Sequence, residues 1–151
     1  MNVAVFGSGN IGRHHVRAYA DAGANVVAIL GSTRESAQAT ASRLNEELGT
    51  QVRPYHDLGQ LIAQEDIEAV SVCTPNALHE EQIRTALLNG IDVLAEKPLV
   101  WDAKKSPMQN FETAKSLVEL AHDRGRILTL NTQLAAPFQL YMQEYARRFS
   151  D

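Results

Sequence analysis

The sequence predicts a doubly wound α/β fold of Rossmann type, a parallel sheet between two layers of helices in a single domain. Three observations predict it. Short, continuously apolar runs rich in β-branched residues alternate with longer stretches of helical periodicity, the pattern of strands covered on both faces. Glycines stand just past the helical stretches, at Gly23, Gly49, Gly90 and Gly125, where a left-handed residue stops a helix. Residues 2–12 read N-V-A-V-F-G-S-G-N-I-G, so G-x-G-x-x-G falls between a strand and a helix, the context that lifts the motif above chance.

The elements follow in order. Residues 3–6 are the opening strand, and residues 11–22 the first helix, stopped by Gly23. Residues 25–30 (N-V-V-A-I-L) are apolar and β-branched, as a strand buried on both faces should be. Gly31-Ser32-Thr33 is a turn that supplies a hydroxyl N-cap to an alanine-rich helix over 34–48. Residues 52–55 form a short strand that Pro54 confines to the edge of the sheet, and Asp57 caps a brief helix through Leu61 and Ile62. Residues 69–73 (A-V-S-V-C) are a buried strand ending at Thr74-Pro75-Asn76. A helix over 77–89, a strand over 92–95 and Glu96-Lys97-Pro98 come next. The polar stretch 101–110 interrupts the pattern. Charged and carrying Pro107, its part 102–110 is expected to be an exposed loop. A helix through Leu117, Val118 and Leu120 ends at Gly125. The last strand spans 127–130, and an amphipathic helix 136–149.

Composition excludes several function classes. The 151 residues are 44% apolar and 21% charged, ordinary values for a globular domain. A net charge of -4 argues against a nucleic-acid groove. No apolar run is long enough to span a bilayer as a helix, and the lone Cys73 cannot form an internal disulfide; a cytoplasmic protein is expected. No Cys/His spacing suggests a metal site.

Right-handed crossovers bring every strand's carboxyl end to one edge, where ligands bind. There Gly7 allows a tight turn, Gly9 lets backbone approach a pyrophosphate, and Gly12 lets the helix pack closely on the strand. Asn10 and Ile11 complete that cradle, and the helix dipole favours an anion in it. Where an NAD site carries an acidic residue, about twenty residues past the motif, this chain has Gly31, followed by Ser32, Thr33 and Arg34. Small and hydroxyl side chains with a guanidinium suit a 2′-phosphate, so NADP is the expected cofactor, with NAD the alternative. The competing reading makes Arg34 a surface residue at a helix start.

Two further segments, Cys73-Thr74-Pro75-Asn76-Ala77-Leu78-His79 and Ala95-Glu96-Lys97-Pro98-Leu99, together with His15 three residues after Gly12, make residues 1–131 resemble the glucose–fructose oxidoreductase, inositol dehydrogenase and MocA-type family. The resemblance implies a nicotinamide-dependent oxidoreductase of the sugar or polyol dehydrogenase type. It implies that Thr74, Pro75 and Asn76, with Cys73 at the same strand end, line the ribose and nicotinamide side, that Glu96 stands next to the nicotinamide ribose, and that Lys97 is the catalytic lysine. Chemistry gives Lys97 the same role, since an ammonium beside the nicotinamide stabilises charge on a carbonyl oxygen that receives hydride. An ion pair with Glu96 is its alternative. His79, on the first turn of a helix at that end, is a second catalytic candidate, with a structural role as its alternative. His15 reads as a packing or hydrogen-bonding residue, and Cys73 as a small core hydrophobe rather than a nucleophile.

Members of that family continue into a second domain carrying the substrate pocket and a general acid/base. The expected organisation is therefore a dinucleotide-binding domain over 1–131 and a terminal helix over 132–151, where the substrate domain would begin. An apolar patch at that helix, covered by self-association or a partner chain, is expected with it. The alternative function is a noncatalytic NADP-binding module, a sensor or a subunit without its own pocket. Methyltransferase or flavin binding would leave Glu96-Lys97-Pro98 unexplained.

Overall fold

Hydrophobic continuity in the strands and polarity in the helices dictate what the computed structural model contains. It describes residues 1–132 together with Gln143, Arg147 and Arg148. The elements are β1 (Asn2–Phe6), α1 (Asn10–Asp21), β2 (Asn25–Leu30), α2 (Arg34–Leu48), β3 (Arg53–Tyr55), α3 (Leu58–Gln64), β4 (Ala69–Val72), α4 (His79–Leu88), β5 (Asp92–Glu96), α5 (Pro107–Asp123) and β6 (Leu128–Asn131). A 3-10 turn, Asn76–Leu78, leads into α4. The six strands lie in the order β3-β2-β1-β4-β5-β6, with every pairing parallel. The order reverses between β1 and β4, which opens a crevice at their carboxyl ends.

Alternation along β1 supplies both faces of the sheet. Val5 packs with Val16 of α1 and with Ala41 and Leu44 of α2, against Val26 and Ile29. Ala4 and Phe6 face the opposite way, into a core with Leu61, Ile83, Leu87 and Leu117 from α3, α4 and α5. Caps fix the helix starts: Thr33 and Ser36 form a capping box on α2, and Asp57 accepts from the Gln60 amide on α3. Pro54 pairs with Ile29 only, on the edge strand. Among the described residues, no helix is long and apolar enough to cross a membrane.

One expectation is corrected. Pro107 does not sit inside a loop; it is the first residue of α5. Ser106 caps that helix in a reciprocal box with Gln109, and a proline at this position gives up only an amide that has no helical partner. The loop shrinks to 101–106, held by Asn110, whose buried side chain accepts from the Asp102 amide at 2.8 Å and donates to the Asp102 carbonyl at 3.1 Å. The helix expected over 136–149 lies outside the described residues except at Gln143, Arg147 and Arg148, and so does the apolar patch expected there.

Candidate functional site

The glycine bend after β1 is closed by main chain on both sides. The Gly7 amide donates to the Leu30 carbonyl at 2.8 Å, and the Cys73 amide to the Phe6 carbonyl at 2.7 Å. Gly7 has φ +118°, and a Cβ there would lie 2.7 Å from the Cys73 carbonyl oxygen, so the turn admits no side chain. A Cβ on Gly12 would lie 1.8 Å from the Gly7 carbonyl oxygen; that glycine is what lets α1 sit against the bend. At Gly9 a Cβ would meet nothing within 4 Å. Its bareness answers to no neighbour among the described residues, and it leaves the backbone open for close approach from outside. Gly9 caps α1 without a side-chain bond, and no acidic residue stands in the first turn. The first amides of α1 therefore lack side-chain acceptors and face the crevice with the positive end of the helix dipole.

These amides border a cavity of about 440 Å³. Gly7, Gly9, Asn10 and Ile11 form one wall, Gly31 and Ser32 the end beyond β2, and Cys73, Thr74 and Pro75 the wall beyond β4. Sequence reasoning did not single out Gln82, which lies on the same wall, is 6% exposed and accepts from the Thr74 hydroxyl at 2.6 Å. The available signal was its place one turn after His79 on the same helix face. At position 31 a Cβ would lie 2.8 Å from the Ala37 amide nitrogen and from Ser36 Oγ, so the close seat of α2 excludes the acidic residue usual there. Thr33 is occupied in the helix cap, and Arg34 is exposed on an adjoining groove with Tyr55 and His56.

His79 is buried between the two motif corners. Its ring is fully buried, with Nε2 2.9 Å from the Thr74 carbonyl oxygen and Nδ1 3.0 Å from that of Pro98. Both partners are acceptors and a neutral ring carries a single N–H, so such a ring donates to one carbonyl and abuts the other, a strut between the two motif corners. Asn76 opens the 3-10 turn at the first corner. Lys97, in a cis peptide bond with Pro98, is exposed at the second, and no described residue pairs with its ammonium. Glu96 does not pair with it either. The residue is buried, and its carboxylate accepts at Oε1 from Asn131 Nδ2 at 2.5 Å and faces His15 Nε2 at 3.0 Å. His15 Nδ1 lies 2.6 Å from Ser71 Oγ. Burial, with the Glu96 charge adding, pushes the Cys73 thiol up to about 11, so at neutral pH it stays protonated and weakly nucleophilic. Among the described residues, no group of three or more His, Cys, Asp or Glu could hold a metal ion.

A parallel doubly wound sheet, a bare glycine bend at its switch point and an uncapped helix end define the class: a dinucleotide-binding Rossmann domain. The family model for the glucose–fructose oxidoreductase, inositol dehydrogenase and MocA proteins, described as an oxidoreductase family with an NAD-binding Rossmann fold, matches residues 1–132, and the chain belongs to this family. Inositol 2-dehydrogenase of Renibacterium salmoninarum is 35% identical over 105 residues, covering 68% of this chain and 30% of the relative. A 2,7-anhydro-N-acetylneuraminate hydratase of Mediterraneibacter gnavus is 37% identical over 100 residues, 66% of this chain and 25% of the relative. The solved WlbA dehydrogenase of Bordetella pertussis, in complex with NADH and UDP-GlcNAcA, superposes with a TM-score of 0.71 at 26% identity, over 87% of this chain and 37% of its own. The chain thus spans about a third or less of the length of these relatives.

Proposed function

We propose that this chain is the dinucleotide-holding part of an NADP-preferring oxidoreductase that moves hydride between the nicotinamide and the carbon of a sugar or polyol hydroxyl. The observation that carries the reading is the pairing, on one sheet edge, of the bare Gly9 bend with the Lys97 ammonium, which has no partner among the described residues. The residues present suit the cofactor, because the backbone at Gly9 is open to close approach and nothing acidic competes for the first amides of α1. Gly7, Gly9, Asn10, Ile11 and Gly12 would hold the pyrophosphate, Cys73, Thr74, Pro75 and Asn76 the ribose and nicotinamide side, and Ser32, Thr33 and Arg34 the 2′-phosphate. When bound, the nicotinamide supplies the hydride donor or acceptor. Lys97 stabilises the negative charge that develops on the substrate oxygen, and Glu96 orients the neighbouring ribose. The relatives' names support a polyol or amino-sugar substrate, taken in a second domain that residues 132–151 would lead into. Dissociation constants test the cofactor assignment: NADPH should bind about tenfold more tightly than NADH through charge-assisted bonds to its extra phosphate, and equal or tighter NADH binding defeats it.

One observation favours a second reading, a binding module without turnover. His15 and His79, the histidines bonded at the Glu96 and Thr74 corners, are both held in hydrogen bonds, and neither lines the cavity. Polyol-dependent turnover by the 151-residue chain would defeat that reading.

A further inference from the structure

Four side chains distant in sequence, Ser71, His15, Glu96 and Asn131, meet at the carboxyl ends of β4, β5 and β6 beside α1. Ser71 is fully buried, and the His15 and Glu96 side chains are only 13% and 11% exposed. One neutral tautomer satisfies the Ser71 and Glu96 contacts: the Ser71 hydroxyl donates to Nδ1 while Nε2–H donates to the carboxylate, leaving Asn131 Nδ2, 3.5 Å from Nε2, to bond Glu96 alone. Asn131 donates to the same oxygen, Oε1. Glu96 Oε2 is left without a protein donor among the described residues, yet it is not sealed off, because no buried side-chain oxygen or nitrogen lacks a partner. A carboxylate held by two donors on one oxygen presents the other in a fixed direction.

We infer that His15 is a positioning residue. Braced by Ser71, it fixes Glu96 so that Oε2 takes a hydrogen bond from a hydroxyl of the ribose carrying the nicotinamide. The inference rests on the dinucleotide reading above and adds to it the residue that sets the ribose contact. Packing alone does not account for the arrangement. An apolar side chain would fill the gap between α1 and the sheet, whereas this ring spans it with a polar atom at each end, one bonded to a charge.

The test uses three ligands on the 151-residue chain: NADH, ADP-ribose and ADP, the last lacking the second ribose. His15→Ala should weaken NADH and ADP-ribose about tenfold, the cost of loosening one hydrogen bond to a charged group, and leave ADP within about twofold. His15→Gln, which offers a donor and an acceptor of its own, should recover most of the loss. Equal losses on all three ligands, or none on any, would overturn the inference, since a structural defect does not distinguish ADP from ADP-ribose. If His15→Ala does not fold, Ser71→Ala frees the ring and must give the same ribose-selective loss; without it the inference falls. A wild-type chain that bound none of the three would defeat the dinucleotide reading, and this inference with it.

Discussion

At Gly9 and Gly12 the same substitution should have opposite consequences. An added methyl at Gly9 meets nothing within 4 Å among the described residues, so Gly9→Ala should leave the melting temperature unchanged. The methyl would instead occupy the space a pyrophosphate needs, and NADH binding should weaken about tenfold or more by titration. At Gly12 the methyl would lie 1.8 Å from the Gly7 carbonyl oxygen. Gly12→Ala must push α1 off the bend, and urea unfolding should show a loss of about 1–3 kcal/mol, the usual cost of overpacking. Cys73 carries a pH dependence of defined sign. Its thiol is raised in the folded state from an ordinary 9.0 to about 11, so folding holds the proton more tightly. That contribution is intact below pH 9 and is lost as the pH rises through about 11. The urea midpoint should therefore fall between those values, and Cys73→Ala should flatten the decline; an unchanged slope would remove the thiol from the account.

The helix α5 shows where sequence patterning misleads at the scale of an element. Pro107 among charged residues looks like a loop, because proline ends most helices and polar runs are mostly exposed. The sequence S-P-M-Q is also a start signal, and the start is the arrangement found, with Ser106 and Gln109 each bonding the other's amide. Nothing local separates the two readings. Asn110 decides between them, since it is buried and bonded to main chain at residues 102, 105 and 106 only once α5 packs beneath the loop. Ser106→Ala should cost about 1 kcal/mol, a lost cap. Asn110→Leu should cost about 1–3 kcal/mol, because it strands the Asp102 amide without its acceptor. Denaturant unfolding of the two variants checks the order; a Ser106→Ala loss exceeding that of Asn110→Leu would mean that the box, not the buried amide, holds this loop.

Across the whole molecule, what was legible and what was not divide by sequence distance. Strands such as 25–30, buried on both faces, declare themselves through unbroken apolarity, and the glycine stops and the bend after β1 are local chemistry; together they fix a doubly wound sheet and its ligand edge. The bracing of that edge is not local. Ser71, His15, Glu96 and Asn131 come from β4, α1, β5 and β6, and no periodicity links them. The setting of His79 is likewise non-local: its ring lies between the carbonyls of Thr74 and Pro98. On the proposed reading the cavity and the Lys97 corner hold the cofactor, and binding should be separable from turnover. A ligand at a hundred times its dissociation constant adds about 2.7 kcal/mol to the folded state, which for a domain of this length is a rise of roughly 5–10 °C in melting temperature. NADPH should produce that shift, and ADP a smaller one because it spans only part of the cavity edge. Under the same conditions, NADP reduction with inositol or sugar substrates by the 151-residue chain should stay at the buffer rate, since His15 and His79 at this edge are held by neighbouring groups. Reduction above that rate by the 151-residue chain would mean that Lys97 alone, or with residues beyond those described, carries the proton.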